Sequence, residues 1–196
     1  MNIFKKIYKS YKKSSTERQI NEQEVNLSLD DSFVHNFISK GGRFLYCTSI
    51  SEVANNLNEI LKENNWNKIT CSDFDLLKIA DKLDISIQNN VSENTPYFTS
   101  CEHLIANKGD ILFSSNQIGS DKLSSLSKYF VVYATTSQLV KNMGEGLTGI
   151  KTNFKGNIPT NISSITNYKV EVNDDNFLTY GNSNSKNLYL LLFEDL

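Results

Sequence analysis

Apolar residues recur from Phe33 onward in two alternating kinds of block, helical stripes and short continuous runs. Phe33, Val34, Phe37 and Ile38 form a stripe at i, i+1, i+4 and i+5, and Gly41-Gly42 follow where a left-handed cap ends a helix. Arg43 to Cys47 is the first run of strand length. Ser49 and Glu52 have capping-box spacing, and Val53, Leu57, Ile60 and Leu61 continue one face, which predicts a helix to about Asn64. Lys68 to Cys71 predicts a second strand. Ser72 with Asp75 opens a helix whose face is Leu76, Leu77, Ala80 and Leu83, and Ile85 to Gln88 predicts a third strand. Asp110 to Ser114 and Tyr129 to Ala134 are near-continuous apolar runs, the pattern of parallel strands covered on both faces. Thr135 or Thr136 then caps a helix bearing Leu139, Val140, Met143 and Leu147, and Asn187 to Phe193 forms the last central strand. The predicted class is α/β, a three-layer fold whose mostly parallel sheet is flanked by helices.

The first 29 residues stand apart. Ile3, Phe4, Ile7, Tyr8 and Tyr11 share one helical stripe, while Lys5, Lys6, Lys9, Lys12 and Lys13 occupy the other face. Such a basic amphipathic helix suits an anionic membrane surface or a partner. Packing against its own domain is the preferred placement, because a short unlipidated helix binds membranes only marginally. Ser14 to Ser28 is a polar linker, so the division is residues 1–29, helix and linker, and residues 30–196, one α/β domain.

Composition narrows the function classes. With 20 Lys and Arg against 22 Asp and Glu, the net charge of −2 lacks the basic footprint of a nucleic-acid binder. Cys47, Cys71 and Cys101 are odd in number and widely spaced, which suggests neither disulfides nor a zinc or iron–sulfur site. Reduced thiols, no apolar signal-peptide core and no run near the ~20 apolar residues of a spanning helix point to the cytoplasm. The lack of a G-x-G-x-x-G turn argues against a self-contained NAD oxidoreductase, and no cofactor or metal is expected.

The candidate chemistry lies in polar turns at predicted strand ends. Asn107 and Gly109 form one, where glycine lets a ligand approach the backbone, although a tight turn alone also needs Gly109. Ser114, Ser115 and Asn116 follow one strand-length later. Thr135, Thr136 and Ser137 present hydroxyls and backbone N–H groups that suit phosphate or carboxylate, or that simply cap a helix. Thr160 and Asn161, after Pro159, close the same pocket or make an ordinary side-chain turn. If all converge, they would bind a small polar or anionic metabolite. Cys101, Glu102 and His103 are adjacent, so their side chains alternate across a strand and cannot jointly hold one ion. Lys108 and Lys122 are candidates to pair with an anion at the mouth, or solvated loop residues. Glu194-Asp195 lies just past a strand, where it caps a neighbouring group or is merely exposed.

Thr99 to Gly109, the Ser114-Ser115-Asn116-Gln117 turn, Ala134-Thr135-Thr136-Ser137-Gln138, Ile158 to Ile162 and the closing Tyr189 to Leu196 together resemble the lactate-utilisation (LUD) domain family, from about Phe33 to the C-terminus. The resemblance implies the fold of the ribose-phosphate isomerase, glucosamine-phosphate deaminase and CoA-transferase group, and a role in lactate oxidation beside iron–sulfur oxidoreductase subunits. Many members read Ala-Glu-Thr-Gly-Thr where this chain reads Ala106-Asn107-Lys108-Gly109-Asp110, so Asn107 replaces an acidic candidate base or nucleophile. A second family segment with an arginine and acids is answered here by Pro159 to Ile165, which has neither. Three readings follow: a protein of lactate and organic-acid metabolism that binds a small metabolite; an isomerase or acyl- or CoA-transferase using Glu102 or a lysine; or a non-catalytic subunit of an iron–sulfur redox complex. Whether the chain is catalytic stays open at this point.

Overall fold

The computed structural model describes residues 27–83, 85–88, 91–168 and 184–195. The basic stripe of residues 1–13 and most of the linker lie outside them, so the expectation for that stripe is not met or refuted there. The first described helix, α1 (Leu29–Ser39), is capped by Ser28 and ends at Gly41, which takes the left-handed φ of +89° anticipated for that glycine.

Strands β1 (Arg43–Cys47), β2 (Lys68–Thr70), β3 (Ser86–Gln88), β4 (Tyr97–Thr99), β7 (Tyr129–Thr135) and β10 (Asn187–Phe193) form one sheet. Its order is β1-β10-β7-β4-β2-β3, and every pairing is parallel. The remaining strands, β5 (His103–Ile105), β6 (Asp110–Phe113), β8 (Leu139–Val140) and β9 (Ser163–Ile165), form a second sheet in the order β8-β5-β6-β9. The helices are α1, α2 (Ile50–Glu63), α3 (Phe74–Ala80), the single turn α4 (Ser115–Ile118) and α5 (Met143–Asn153).

Side-chain alternation along the central strands explains the layers. On β10, Leu188, Leu190 and Leu192 enter one core while Tyr189 and Leu191 enter the other; on β7, Phe130, Val132 and Ala134 oppose Val131 in the same way. The first core is closed by Phe33, Val34 and Phe37 of α1 together with Leu104, Ile111 and Phe113 of the small sheet. The second is closed by Val53, Leu57, Ile60 and Leu61 of α2 and by Leu76, Ile79 and Ala80 of α3. The predicted α/β class therefore holds, with a parallel sheet between helices. No helix among the described residues is long and apolar enough to cross a membrane.

Strands β4 and β9 were not anticipated from the sequence, and two expected elements differ from the sequence reading. The run at Asp110 belongs to the small sheet, antiparallel to β5 and β9, not to the central parallel sheet. Its Ile111 and Phe113 face the first core while Leu112 meets Ile105 and Ile150 of α5, so a continuous apolar run reports two-sided burial and says nothing of strand direction. The helix expected directly after Thr135 is also displaced. Thr136–Gln138 is one 3-10 turn, Leu139–Val140 is strand β8, and α5 begins only after its Asn142 cap, whose side chain accepts the Glu145 N–H at 3.0 Å.

Candidate functional site

Parallel pairing brings the carboxyl ends of β1, β10, β7 and β4 to one side of the sheet, where open α/β sheets bind ligands. At the end of β7, Thr135 and Gln138 form a reciprocal capping box around the 3-10 turn. The Gln138 side-chain oxygen accepts the Thr135 N–H at 2.8 Å, and its nitrogen donates to the Cys101 and Glu102 carbonyls. Gln138 thus ties the end of β7 to the chain leaving β4.

Asp195, two residues past β10, aims its carboxylate into that turn. It accepts the Thr136 hydroxyl at 2.8 Å, the Ser137 N–H at 2.9 Å and the Ser137 hydroxyl at 2.6 Å, while the Thr135 and Ser137 hydroxyls lie 2.8 Å apart. The Ser137 hydroxyl above all, with the Ser137 N–H and the threonine hydroxyls, holds the Asp195 carboxyl down at about 2. A cleft of about 510 Å³ opens beside this clamp, walled by Leu29 and Leu139 and edged by Tyr46, Thr136, Ser137, Asp30 and Glu194. Burial raises the Tyr46 phenol well above its usual range, and its hydrogen-bonded neighbour Glu194 adds to the rise, so Tyr46 stays protonated.

A second cluster surrounds Glu102. Its Oε1 accepts the hydroxyl of fully buried Ser114, the Asn116 amide at 2.9 Å and the Gln117 amide at 3.1 Å. Ser114 at the same time caps α4. Ser115 and Thr160 exchange two bonds: the Ser115 N–H donates to the Thr160 carbonyl at 2.8 Å, and the Thr160 N–H donates to Ser115 Oγ at 3.0 Å. Asn161, at a φ of +53°, donates to the Gly119 and Asp121 carbonyls.

Of the four anticipated turn regions two thus meet, Ser114-Ser115-Asn116 with Thr160-Asn161, and Gln138 links them through residue 102 to a third, Thr135-Thr136-Ser137. Asn107 and Gly109 do not join. The β5–β6 register places their turn at the opposite end of the hairpin from Ser114, about 13 Å away for a four-residue strand. A Cβ on Gly109 would lie 2.4 Å from the Phe37 backbone nitrogen, so the close approach that this glycine permits is to α1. Asn107 is exposed, and its N–H donates to the Lys141 carbonyl at 3.1 Å. Lys108 and Lys122 are exposed and do not line the cleft.

Cys101 is buried, and burial with the nearby Glu102 charge pushes its thiol far above the range in which a thiolate forms at neutral pH. His103 faces Gly149 on α5 and lies 3.3 Å from the Gln138 carbonyl. Among the described residues no three His, Cys, Asp or Glu side chains are grouped as metal ligands. Sequence reading missed Tyr46 and Gln138. The spacing of Thr135 with Gln138, and of Ser114 with Gln117, was the available signal for two capping boxes; Tyr46, inside a strand, carried none.

A family model described as LUD domain matches residues 31–193. Among solved structures, the crystal structure of a DUF162 family protein from Deinococcus radiodurans, at 1.70 Å resolution, superposes with a TM-score of 0.59. The two are 11% identical, and the match covers 86% of this chain and 99% of that one, which shows a common fold. No curated protein sequence matches the chain.

Proposed function

The chain belongs to the LUD-domain family, and on that footing we propose that it binds a small, hydroxyl-bearing organic metabolite in the cleft at the carboxyl ends of β1, β7 and β10, within lactate or organic-acid metabolism. One observation carries the reading: a polar-edged, apolar-walled cleft of about 510 Å³ at the strand ends where α/β sheets hold their ligands. Leu29 and Leu139 offer surface to a short hydrocarbon skeleton, and Glu194 and Asp30 accept hydrogen bonds from its hydroxyls. The turn donors that would greet a ligand carboxylate or phosphate are engaged by Asp195, so an anionic group enters only by exchange with it. The same reading sets the protein in a reducing cytoplasm, with iron–sulfur oxidoreductase subunits as the partners to seek by co-purification.

Glu102 favours a second reading, an isomerase or acyl-transfer enzyme. Three side-chain donors fix its Oε1, which is the kind of support a preorganised catalytic carboxylate requires.

Thermal-shift measurements against hydroxy acids, phosphosugars, CoA esters and folates test both. A bound ligand at a hundredfold excess over Kd stabilises by about 2.7 kcal/mol. The metabolite reading expects a shift with hydroxy acids that Tyr46→Phe and Glu194→Gln each reduce. Failure of every class to stabilise the protein, or shifts that survive both substitutions, refutes it. Turnover of a stabilising ligand that is lost in Glu102→Gln establishes the enzymatic reading.

A further inference from the structure

Opposite charges border one groove beside β1 without meeting each other. Arg43 opens β1 and is the register partner of Tyr189 on β10, so the two side chains stand on the same face of the sheet. The Arg43 guanidinium donates to the Tyr189 hydroxyl oxygen at 2.5 Å, with its carbon 4.8 Å from the ring centre. Asn64, the C-cap of α2, donates to the same oxygen at 3.1 Å and to the Ile60 carbonyl at 2.7 Å. The end of α2, a tyrosine only 4% exposed and the arginine thus form one fixed chain. A phenol oxygen that accepts twice still carries its own proton, and no described residue accepts it. No described carboxylate pairs with Arg43 either. The remaining guanidinium donors and the Tyr189 proton can therefore serve one carboxylate from outside the chain.

The groove that these groups border holds about 360 Å³, within the range of small-ligand sites, and its apolar walls are Ile38 of α1, Phe44 and Leu45 of β1 and Ile60 of α2. On the α2 side its rim carries Glu59 and Glu63. Glu59 is tied to Lys62 at 3.1 Å, whereas Glu63, exposed just before the cap, pairs with no described cation.

We propose that this groove binds a free amino acid with an apolar side chain. The ligand carboxylate meets Arg43 and the Tyr189 hydroxyl, its ammonium faces Glu63, and its side chain lies against the apolar walls. Arginine's planar fork suits a carboxylate, and its bond to Tyr189 meets part of the ordering cost before the ligand arrives. Charge selects the zwitterion over either half of it: an amine leaves Arg43 unmatched, and a plain carboxylic acid leaves Glu63 unmatched and is repelled by it. The groove shares no lining residue with the strand-end cleft, so this inference stands whether or not a metabolite binds there.

Chemical-shift titration of the full chain with L-leucine is the test, set against isoamylamine, which lacks the carboxylate, and isocaproate, which lacks the ammonium. L-leucine moves the amides of Phe44, Leu45 and Glu63 and leaves those of Leu139 and Glu194 in place. Each analogue binds at least about tenfold more weakly, the loss of one charge-assisted pair, and Arg43→Gln and Glu63→Gln each weaken L-leucine by a similar factor. The shift map on the unsubstituted chain locates the site independently of the variants. Four results overturn the proposal: no shifts with L-leucine or L-phenylalanine, shifts confined to Leu139 and Glu194, isocaproate or isoamylamine binding as tightly as L-leucine, or titrations that neither substitution alters.

Discussion

Replacing Gly109 by alanine separates a packing role from a ligand role at the β5–β6 turn. Gly109 has a φ of +66°, and an added Cβ would lie 2.4 Å from the Phe37 nitrogen and 2.6 Å from the Asn36 carbonyl carbon. These are backbone atoms of α1, and they cannot swing aside as a side-chain tip can. The helix is held there from both sides. Asn36 donates to the Ala106 carbonyl at 2.9 Å, and the fully buried Phe37 ring stacks on Phe33 at 5.4 Å and meets Tyr168 at 4.4 Å. The left-handed conformation costs alanine about 1–2 kcal/mol, and forcing packed backbone apart costs about 1–3 kcal/mol more. The stiffer unfolded chain returns about 0.4–1 kcal/mol, which leaves a net loss of roughly 1.5–4 kcal/mol. Gly156 supplies the control, because its φ is +82° yet nothing lies within 4 Å of an added Cβ. Urea unfolding of both variants at constant m-value reads the difference, and Gly109→Ala is the more damaging by about 1–3 kcal/mol. Losses equal to within about 0.5 kcal/mol would refute the packing of α1 on this turn. A lost ligand response in Gly109→Ala at unchanged stability would restore the ligand-facing role expected from the sequence.

Two further substitutions test buried and clamped charges. Lys186 is 3% exposed, with its ammonium donating to the Leu126 carbonyl at 3.1 Å, and burial lowers its pKa from 10.5 to about 8. The unfolded chain therefore holds a proton that the folded one has released between pH 8 and 10.5, so stability rises with pH across that window, by up to about 1.4 kcal/mol per unit. Lys186→Met flattens the rise in urea titrations from pH 7.5 to 9.5, and parallel curves for the two proteins would rule out a neutral buried amine. Asp195 has the opposite sign: its depressed carboxyl adds stability that is present above the unfolded value of 3.8 and is lost as pH falls toward 2. Solvent exposure limits the contribution to about 1 kcal/mol or less. Asp195→Asn narrows the stability difference between pH 5 and pH 2.5, and an unchanged difference would show that the Ser137 clamp does not hold in solution.

Local patterning carried most of the α/β framework, because each helix and strand here buries a face that the residue spacing records. The α2 stripe and the β10 run of Asn187 to Phe193 are read from sequence with nearly their observed bounds. Topology is another matter. A strand covered on both sides looks the same in a parallel or an antiparallel sheet, so Ile111, Leu112 and Phe113 could not disclose that β6 leaves the central sheet. At the candidate site, Ser114 and Thr160 were visible as turn residues, but the two bonds between Ser115 and Thr160 span 45 positions, and no local pattern encodes them. Gly109 shows the limit most plainly. Its positive φ was legible as a turn, whereas the atoms pressing on it come from α1, more than 70 residues earlier.

The same long-range pairing changes which ligand the strand ends can select. Hydroxyls and N–H groups at Thr135, Thr136 and Ser137 read locally as donors awaiting an anion, and a cleft lined by free donors would favour phosphate or carboxylate. Once Asp195 folds onto them, the donors are saturated by a carboxylate of the chain itself, and the remaining polar groups along the cleft are the acceptors Glu194 and Asp30 and the Tyr46 phenol, which is already hydrogen-bonded to Glu194. Complementarity then runs the other way: a ligand gains by donating hydrogen bonds through hydroxyls, and a second negative charge is repelled unless it first displaces Asp195. Displacement returns the Asp195 carboxylate to water at a modest penalty, since it is already exposed. On the proposed metabolite reading the clamp weakens anion binding without abolishing it, and Asp195→Asn, which removes the competing charge, is expected to raise the affinity of an anionic ligand relative to a neutral polyol at the same cleft.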